Sequence, residues 1–403
     1  MSTDQMRPST GDTTAATPMN TVPGTAAATA ASTAADAAAP APDLVTRAFT
    51  FLTERPVSLH AASVLRIGYG LLYLVFLLRE FPNRDEMWGP GSPWTPSLAR
   101  ELQRQTGWHS ILTLSDSTAY FQTCYSLALV TAALFMLGWH TRAISILFAI
   151  VVASFHSRYL FMTDGGDNLT VLMVMYLTLT DCGRRWSLDA RRRRLHTFSP
   201  VRRPPVTART GPLPVGQQAV LVRRLLATLL HNCGMFVIAA QVCILYGAAG
   251  LYKVQGSMWR DGTAMHYVLN LDLFQPWPAL SHLADSHQVC AAIAGYVTVL
   301  VQVAFPFALF SRLKYVLLGA LLSMHVAIAV LLGLPEFSGA MIVADAVFLP
   351  DRLLTRFVSG RRRARLDSTS ESARALQQVP AGVRSEESPT PRTSAPLTAP
   401  HRV

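Results

Sequence analysis

Lysine is almost absent from this chain. Lys and Arg together number 35, yet only Lys253 and Lys314 are lysine, which leaves 33 arginines. The choice matters chemically. Arginine stays protonated in a protein, whereas a lysine can lose its proton when burial makes charge costly, and a neutral amine beside a dry pocket is a usable general base. Lys314 falls in a short turn where any cation would serve. Lys253 ends the apolar run 245–252, after Gly247, Ala248, Ala249 and Gly250, whose small size lets another helix approach closely. Position leaves two readings open: a base, or an interfacial cation that snorkels to water. Trp259, Arg260 and Asp261 follow, and Trp277 stands between Pro276 and Pro278. These aromatics either anchor the chain at a membrane surface or wall a pocket.

A second constellation lies in Ser154-Phe155-His156-Ser157-Arg158 and the following Asp164-Gly165-Gly166-Asp167-Asn168. Ionisable groups near the end of an apolar run are costly, so they are paired or functional. Arg158 is expected to pair with Asp164 or Asp167 across a tight Gly-Gly turn; alternatively, Asp167 only caps the next helix. His325, with Ser323, sits in a late apolar run, either as a hydrogen-bonded core residue or as a functional group. Arg66, in the first run, is expected to snorkel or pair. Cys124, Cys182, Cys233, Cys243 and Cys290 show no C-x-x-C spacing, so neither a metal motif nor a disulfide framework is indicated. No Gly-rich phosphate loop or Ser/His/Asp pattern is present.

The elements that position these residues are membrane helices. Half of the 403 residues are hydrophobic and 15% are charged, against about 25% in soluble domains. Apolar runs near 61–81, 119–139, 143–163, 167–182, 225–252, 289–310, 313–333 and 338–350 predict an all-α, polytopic transmembrane bundle of about eight segments. The fourth and eighth are short, and are tilted, partly embedded or re-entrant. Residues 1–42, rich in Thr, Ala and Pro, and the Ser/Pro/Arg-rich 366–403 that ends the 353–403 tail after a basic stretch, are expected to be disordered. Between them, 43–56 reads as an interfacial helix and 57–352 as the membrane domain.

The net charge of +11 reflects arginines clustered between apolar runs, which points to membrane orientation and the lipid bilayer, not nucleic acid. The 183–224 stretch, the turns at 139–142 and 311–314, and the 361–365 cluster are all basic and fall on one side, so both termini are expected to be cytoplasmic. Lys253 and the 164–168 turn then face outward, in a multi-pass cell-membrane protein.

Several segments resemble one family. Ala249-Gly250-Leu251-Tyr252-Lys253, with Trp259 after it, resembles the Ala-Gly-x-x-Lys…Trp segment of vitamin K-dependent γ-carboxylases. Arg66-Ile67-Gly68-Tyr69-Gly70-Leu71 resembles their first-helix Arg-x-x-x-Gly-Leu pattern. Asp181 with Trp186-Ser187-Leu188-Asp189, and His325, match positions in later segments. The whole of 57–352 resembles the HTTM (horizontally transferred transmembrane) domain. It is most similar to bacterial stand-alone members of the sporulation-delaying protein B type, which share Arg-Glu-Phe-Pro (79–82), Asp-Gly-Gly-Asp-Asn (164–168) and Trp-Ser-Leu-Asp-Ala (186–190). The full carboxylases continue into a luminal β-rich domain where this chain has its Ser/Pro/Arg-rich tail, so propeptide docking of their kind is not expected. Their helix-four histidine is replaced near Gly166–Asp167.

The resemblance implies a catalytic set of Lys253, His325 and Arg158. Lys253 would be the base toward a reduced quinone such as menaquinol, with Arg158 and His325 stabilising negative charge during carboxylation of a secreted peptide. His156, Asp164, Asp167, Asn168 and Trp259 would line the substrate or quinone pocket. Two alternatives are a non-carboxylating factor for maturation or export of a secreted peptide toxin, and a non-catalytic quinone-binding or carrier module.

Overall fold

The computed structural model describes residues 43–197 and 214–356. The tails expected to be disordered, Arg202, Arg203, Arg209 and the 361–365 cluster lie outside the described residues. The described residues divide into two compact units between Phe51 and Leu52. Every regular element among the described residues is helical. In chain order these are α1 (Leu44–Glu54), α2 (Leu59–Arg79), α3 (Arg84–Trp88), α4 (Pro96–Thr106), α5 (Thr118–Leu137), α6 (Thr141–Arg158), α7 (Gly165–Leu177), α8 (Leu188–Thr197), α9 (Val215–Gln255), α10 (Ser257–Arg260), α11 (Ala264–Leu269), α12 (Pro278–Asp285), α13 (Gln288–Ala308), α14 (Leu313–Leu331) and α15 (Pro335–Asp345).

Among the described residues, α2, α5, α9, α13 and α14 are long and apolar enough to cross a membrane. At about 1.5 Å per residue, the 21 residues of α2 match the ~30 Å hydrocarbon core. The other three expected runs are less complete. The 18-residue α6 carries Arg142, His156 and Arg158. The 13 residues of α7 and the 11 of α15 reach only about 20 and 16 Å. Both short helices pack into the bundle, α7 against α6 and α15, and α15 against α14 and α2.

The 225–252 run proves to be part of a longer helix. Pro214 opens α9, and no breaker interrupts it before Gly256, so the basic 183–224 stretch contains α8 and the first turns of α9. The α1 helix matches its expected place, with Val45 and Phe49 largely exposed.

The surface of the bundle fits lipid. Exposed apolar side chains recur along the long helices, including Leu71 and Val75 on α2, Leu300 and Phe307 on α13, and Val316, Leu322 and Val326 on α14. A water-soluble fold would bury such rows. Of the five long helices, α2 is the most enclosed and α14 the least.

Of the two readings of Arg66, snorkelling or pairing, snorkelling does not occur. Arg66 is wholly buried and donates to the carbonyls of Phe135 at 2.8 Å, Met136 at 2.6 Å, Trp186 at 2.7 Å and Cys182 at 3.3 Å. These carbonyls lie at the end of α5 and in the loop between α7 and α8, and the guanidinium bonds them where water cannot reach. Asp189 plays the complementary part at the start of α6, accepting from the N–H groups of His140 and Thr141 and from the Thr141 hydroxyl. The Trp-Ser-Leu-Asp segment therefore holds helix ends together.

Candidate functional site

Tyr246, Gly250 and Lys253 lie four and three residues apart along α9, so they share one face. That face meets α13. A side chain at 250 would place its Cβ 2.7 Å from Val303 Cγ2 and 3.0 Å from the Val303 nitrogen, so the close approach requires glycine. At Gly250, the role expected of the small residues before Lys253 is the one observed.

Lys253 Nζ donates to Gln302 Oε1 at 3.1 Å and to its own helix at Ala249 O, 3.4 Å away. It also lies 5.4 Å from the centre of the Trp259 ring. No carboxylate is within salt-bridge distance of it among the described residues. Gln302 is buried and turns its amide N–H toward Met324 Sδ at 3.7 Å. It thereby ties α9 to α13 and α14, one residue from His325.

Two turns deeper along the same face is a second polar group. Tyr246 is fully buried, His325 is 1% exposed and Asp345 is 3% exposed. The Tyr246 hydroxyl lies 3.1 Å from His325 Nε2 and donates to Asp345 at 3.1 and 3.0 Å. With that hydrogen given to the carboxyl, Nε2 of His325 must carry its own to bond the tyrosine oxygen. His325 Nδ1 then has no hydrogen-bond partner among the described residues. Tyr246 thereby joins His325 and Asp345 in one hydrogen-bonded line across three helices. His325 was legible as a lone histidine in an apolar helix; Tyr246, Asp345 and Gln302 were missed. An aspartate inside the apolar run 338–350 was the available signal.

Beside Lys253, a groove of about 290 Å³ is lined by Val254, Trp259, Arg260, Tyr296, Leu300 and Val303, among others. Leu300 and Val254 are exposed, so the groove opens to the side of the bundle. Trp259 is the side chain that the groove and Lys253 share.

The second constellation is arranged differently from expectation. Arg158 pairs with neither Asp164 nor Asp167. Asp164 instead caps α7, accepting from Gly166 N at 2.6 Å and Asp167 N at 2.9 Å, while Asp167 accepts from Asp164 N at 3.1 Å. This reciprocal box satisfies free N–H groups at the helix start and occupies both carboxylates. Asn168 joins it by donating to Asp164 O at 2.9 Å. The Gly-Gly pair is not a left-handed turn, since neither residue has positive φ. Gly166 is needed for contact, because a Cβ there would fall 2.6 Å from Phe337 Cα. His156 and Asp167 both border a cavity of about 30 Å³ among Tyr73, Trp88 and Phe155, roughly enough for a single water. Arg158 reaches a different partner, the Gly89 carbonyl at 3.2 Å.

Of the expected residues, the structure brings Lys253, Trp259 and His325 into one region through Gln302. His156, Asp164, Asp167 and Asn168 gather at the start of α7. Phe337 stands between the two groups, 5.8 Å from the His325 ring and packed on Gly166. No three His, Cys, Asp or Glu side chains converge as metal ligands among the described residues. Comparison with protein-family models, with curated proteins and with solved structures returns no match.

Proposed function

We propose that the chain is a multi-pass membrane protein of HTTM type in which Lys253 takes a proton from a lipid-soluble quinol, in support of carboxylation of a secreted peptide. The observation that carries this reading is the setting of Lys253: a lysine with no carboxylate partner among the described residues, held on the neutral amide of Gln302. In that setting the amine loses no ion pair by becoming neutral, and Gln302 Oε1 orients it by accepting one of its hydrogens. Below it, the Tyr246 hydroxyl lies within hydrogen-bond distance of both His325 and Asp345.

The groove beside Trp259 suits a flat apolar ligand. Its volume is at the lower end of the about 300–1,000 Å³ typical of small-molecule sites, and its sideways mouth admits a molecule dissolved in lipid. Trp259 and Tyr296 would hold such a ring. A reduced quinone such as menaquinol, bound there with oxygen, supplies the oxidation chemistry that makes a carbon-bound proton removable. In this reading α6, α7 and α15 complete eight membrane-embedded segments. The arginine-rich stretches lie on the cytoplasmic side, and Lys253 faces outward.

The contact between Lys253 and Trp259 favours a second reading, a quinone-binding module without chemistry, because a cation over an indole face is stabilised by its charge. One substitution separates the two. In purified membranes supplied with menaquinol, oxygen and labelled bicarbonate, the base reading expects label in peptide with wild type and none with Lys253→Arg, since arginine keeps both the charge and the aromatic contact but not the ability to deprotonate. Equal quinone binding by both proteins, with no label from either, supports the module.

A further inference from the structure

Two arginines are wholly enclosed in the bundle, and they are treated very differently. Arg66 is surrounded by carbonyl acceptors, as described above. Arg158, at the end of α6, is 0% exposed, yet among the described residues only its Nη2 has a partner, the Gly89 carbonyl, and Nε and Nη1 have none. No carboxylate lies within salt-bridge distance of it among the described residues. The charged groups that face it, Asp116 and Arg100, are engaged with each other at 2.8 and 3.1 Å. An enclosed guanidinium with unfilled donors is strongly destabilising unless something completes it.

Arg158 forms part of the wall of a cavity of about 390 Å³. The remaining wall is chiefly apolar, with Met87, Trp94, Phe161 and Met162, and with Ser92 buried among them. Phe161 and Met162 are two-thirds exposed, so they stand at the mouth. Trp94 stacks edge-on against Phe161 with ring centres 4.9 Å apart. Glu86, exposed at the rim, opposes entry of a small free anion, so an apolar body must supply much of the attraction.

We propose that Arg158 and this cavity form a binding site for an amphiphilic anion: a carboxylate or phosphate head on the guanidinium, with a hydrocarbon chain against Trp94, Phe161 and Met162. The head fills donors that the protein leaves open, in the geometry arginine offers to planar anions. The chain exits past Phe161 and Met162 toward lipid. The site is separate from the one around Lys253, with which Arg158 shares no contact.

The test uses the full chain in detergent or nanodiscs and reads quenching of tryptophan fluorescence. One arm adds a fatty acid brominated on its chain. A second uses brominated phosphatidylglycerol, and a third brominated phosphatidylcholine of the same chain length. The expected result is saturable quenching by the fatty acid, by phosphatidylglycerol or by both, which also identifies the source of the head group. Among the seven tryptophans, Trp94→Phe should remove the effect. Arg158→Gln should weaken it by at least about tenfold, the loss expected of one charge-assisted hydrogen bond. Because Arg158→Gln removes a poorly paired buried charge, it should fold with an unchanged or higher Tm in the absence of probe. Met162→Trp keeps the guanidinium and narrows the mouth, and it should weaken binding independently. Glu86→Gln should tighten it; weaker binding would mean that Glu86 serves the site in another way and would overturn the assignment of its rim. Quenching that is equal for phosphatidylcholine, or indifferent to Arg158→Gln in a folded protein, overturns the proposal.

Discussion

Removing one oxygen atom tests whether the buried polar group at the heart of the bundle is a joined unit. Tyr246→Phe keeps the ring that packs against Phe305, 5.5 Å away, and deletes only the hydroxyl that His325 and Asp345 share. Asp345 has no other side-chain or backbone donor among the described residues, and His325 would lose the partner of its one bonded nitrogen. A hydrogen bond to a neutral group contributes about 1 kcal/mol and one to a carboxylate about 1.5–3, so the substitution should cost about 3 kcal/mol. The space vacated by one hydroxyl is below the roughly 10–15 Å³ that a water needs, so solvent does not repair the loss. At about 2–4 °C per kcal/mol, Tm should fall by roughly 6–12 °C in detergent. Tyr69→Phe is the control: its hydroxyl donates only to Ala340 O, at 2.9 Å, and its loss should cost about 1 kcal/mol. Combining Tyr246→Phe with Asp345→Leu should cost about 2 kcal/mol less than the sum of the single changes, because the second removes the group that the first strands. Strict additivity, or a Tyr246→Phe cost within about 0.5 kcal/mol of zero, would refute the shared hydrogen-bond unit.

Gly166→Ala should destabilise by about 1–3 kcal/mol, because its Cβ meets the Phe337 backbone at 2.6 Å, while Gly165→Ala, whose nearest neighbour is a Phe337 ring atom at 3.5 Å, should cost much less; thermal unfolding of the two variants checks this. Burial pushes the Asp189 carboxyl up, but the N–H and hydroxyl of Thr141 and the N–H of His140 outweigh it and hold the group below its ordinary value. Its contribution to stability is therefore fully present above the ordinary carboxylate pKa of about 3.9 and is lost as pH falls below it through the depressed folded value. The Tm gap between wild type and Asp189→Asn should be constant from neutral pH to about pH 5 and close below about pH 4.

Much of the fold was legible because membrane helices write themselves as long apolar runs. The runs at 61–81, 119–139, 289–310 and 313–333 correspond to α2, α5, α13 and α14 within a few residues. The errors arose where polar residues enter a helix. α9 extends ten residues ahead of the run read at 225, because Arg223 and Arg224 are as compatible with a helix leaving the membrane as with a loop. α7 and α15 are short of a full span because capping at Asp164 and a proline at 335 fix where they begin. The site was half legible. Lys253 and His325 stood out as isolated titratable groups, and the small residues before Lys253 correctly implied a close helix. The pairing of Arg158 with Asp164 or Asp167 failed because closeness in sequence ignored a local competitor: backbone N–H groups at the start of α7 already claim both carboxylates. Tyr246 and Gln302 were invisible for a different reason. A tyrosine or glutamine in an apolar helix carries no sign of its partner until α9, α13, α14 and α15 are set side by side.

The same side chains that form the candidate site also join its helices, and this decides which experiments can be read. Between helices in lipid, apolar side chains gain little over the lipid tails they replace, so close packing and interhelical hydrogen bonds carry the association. Tyr246 on α9 reaches His325 on α14 and Asp345 at the end of α15, while Lys253 on α9 reaches Gln302 on α13. A loss of activity in Tyr246→Phe or in an Asp345 variant therefore reports helix registry as much as proton transfer. Lys253 differs. It is partly exposed at the end of its helix, it contributes one hydrogen bond to a neighbouring helix, and its aromatic contact survives replacement by arginine. An activity lost in Lys253→Arg at unchanged Tm isolates the ability of the amine to become neutral, which no structural role requires.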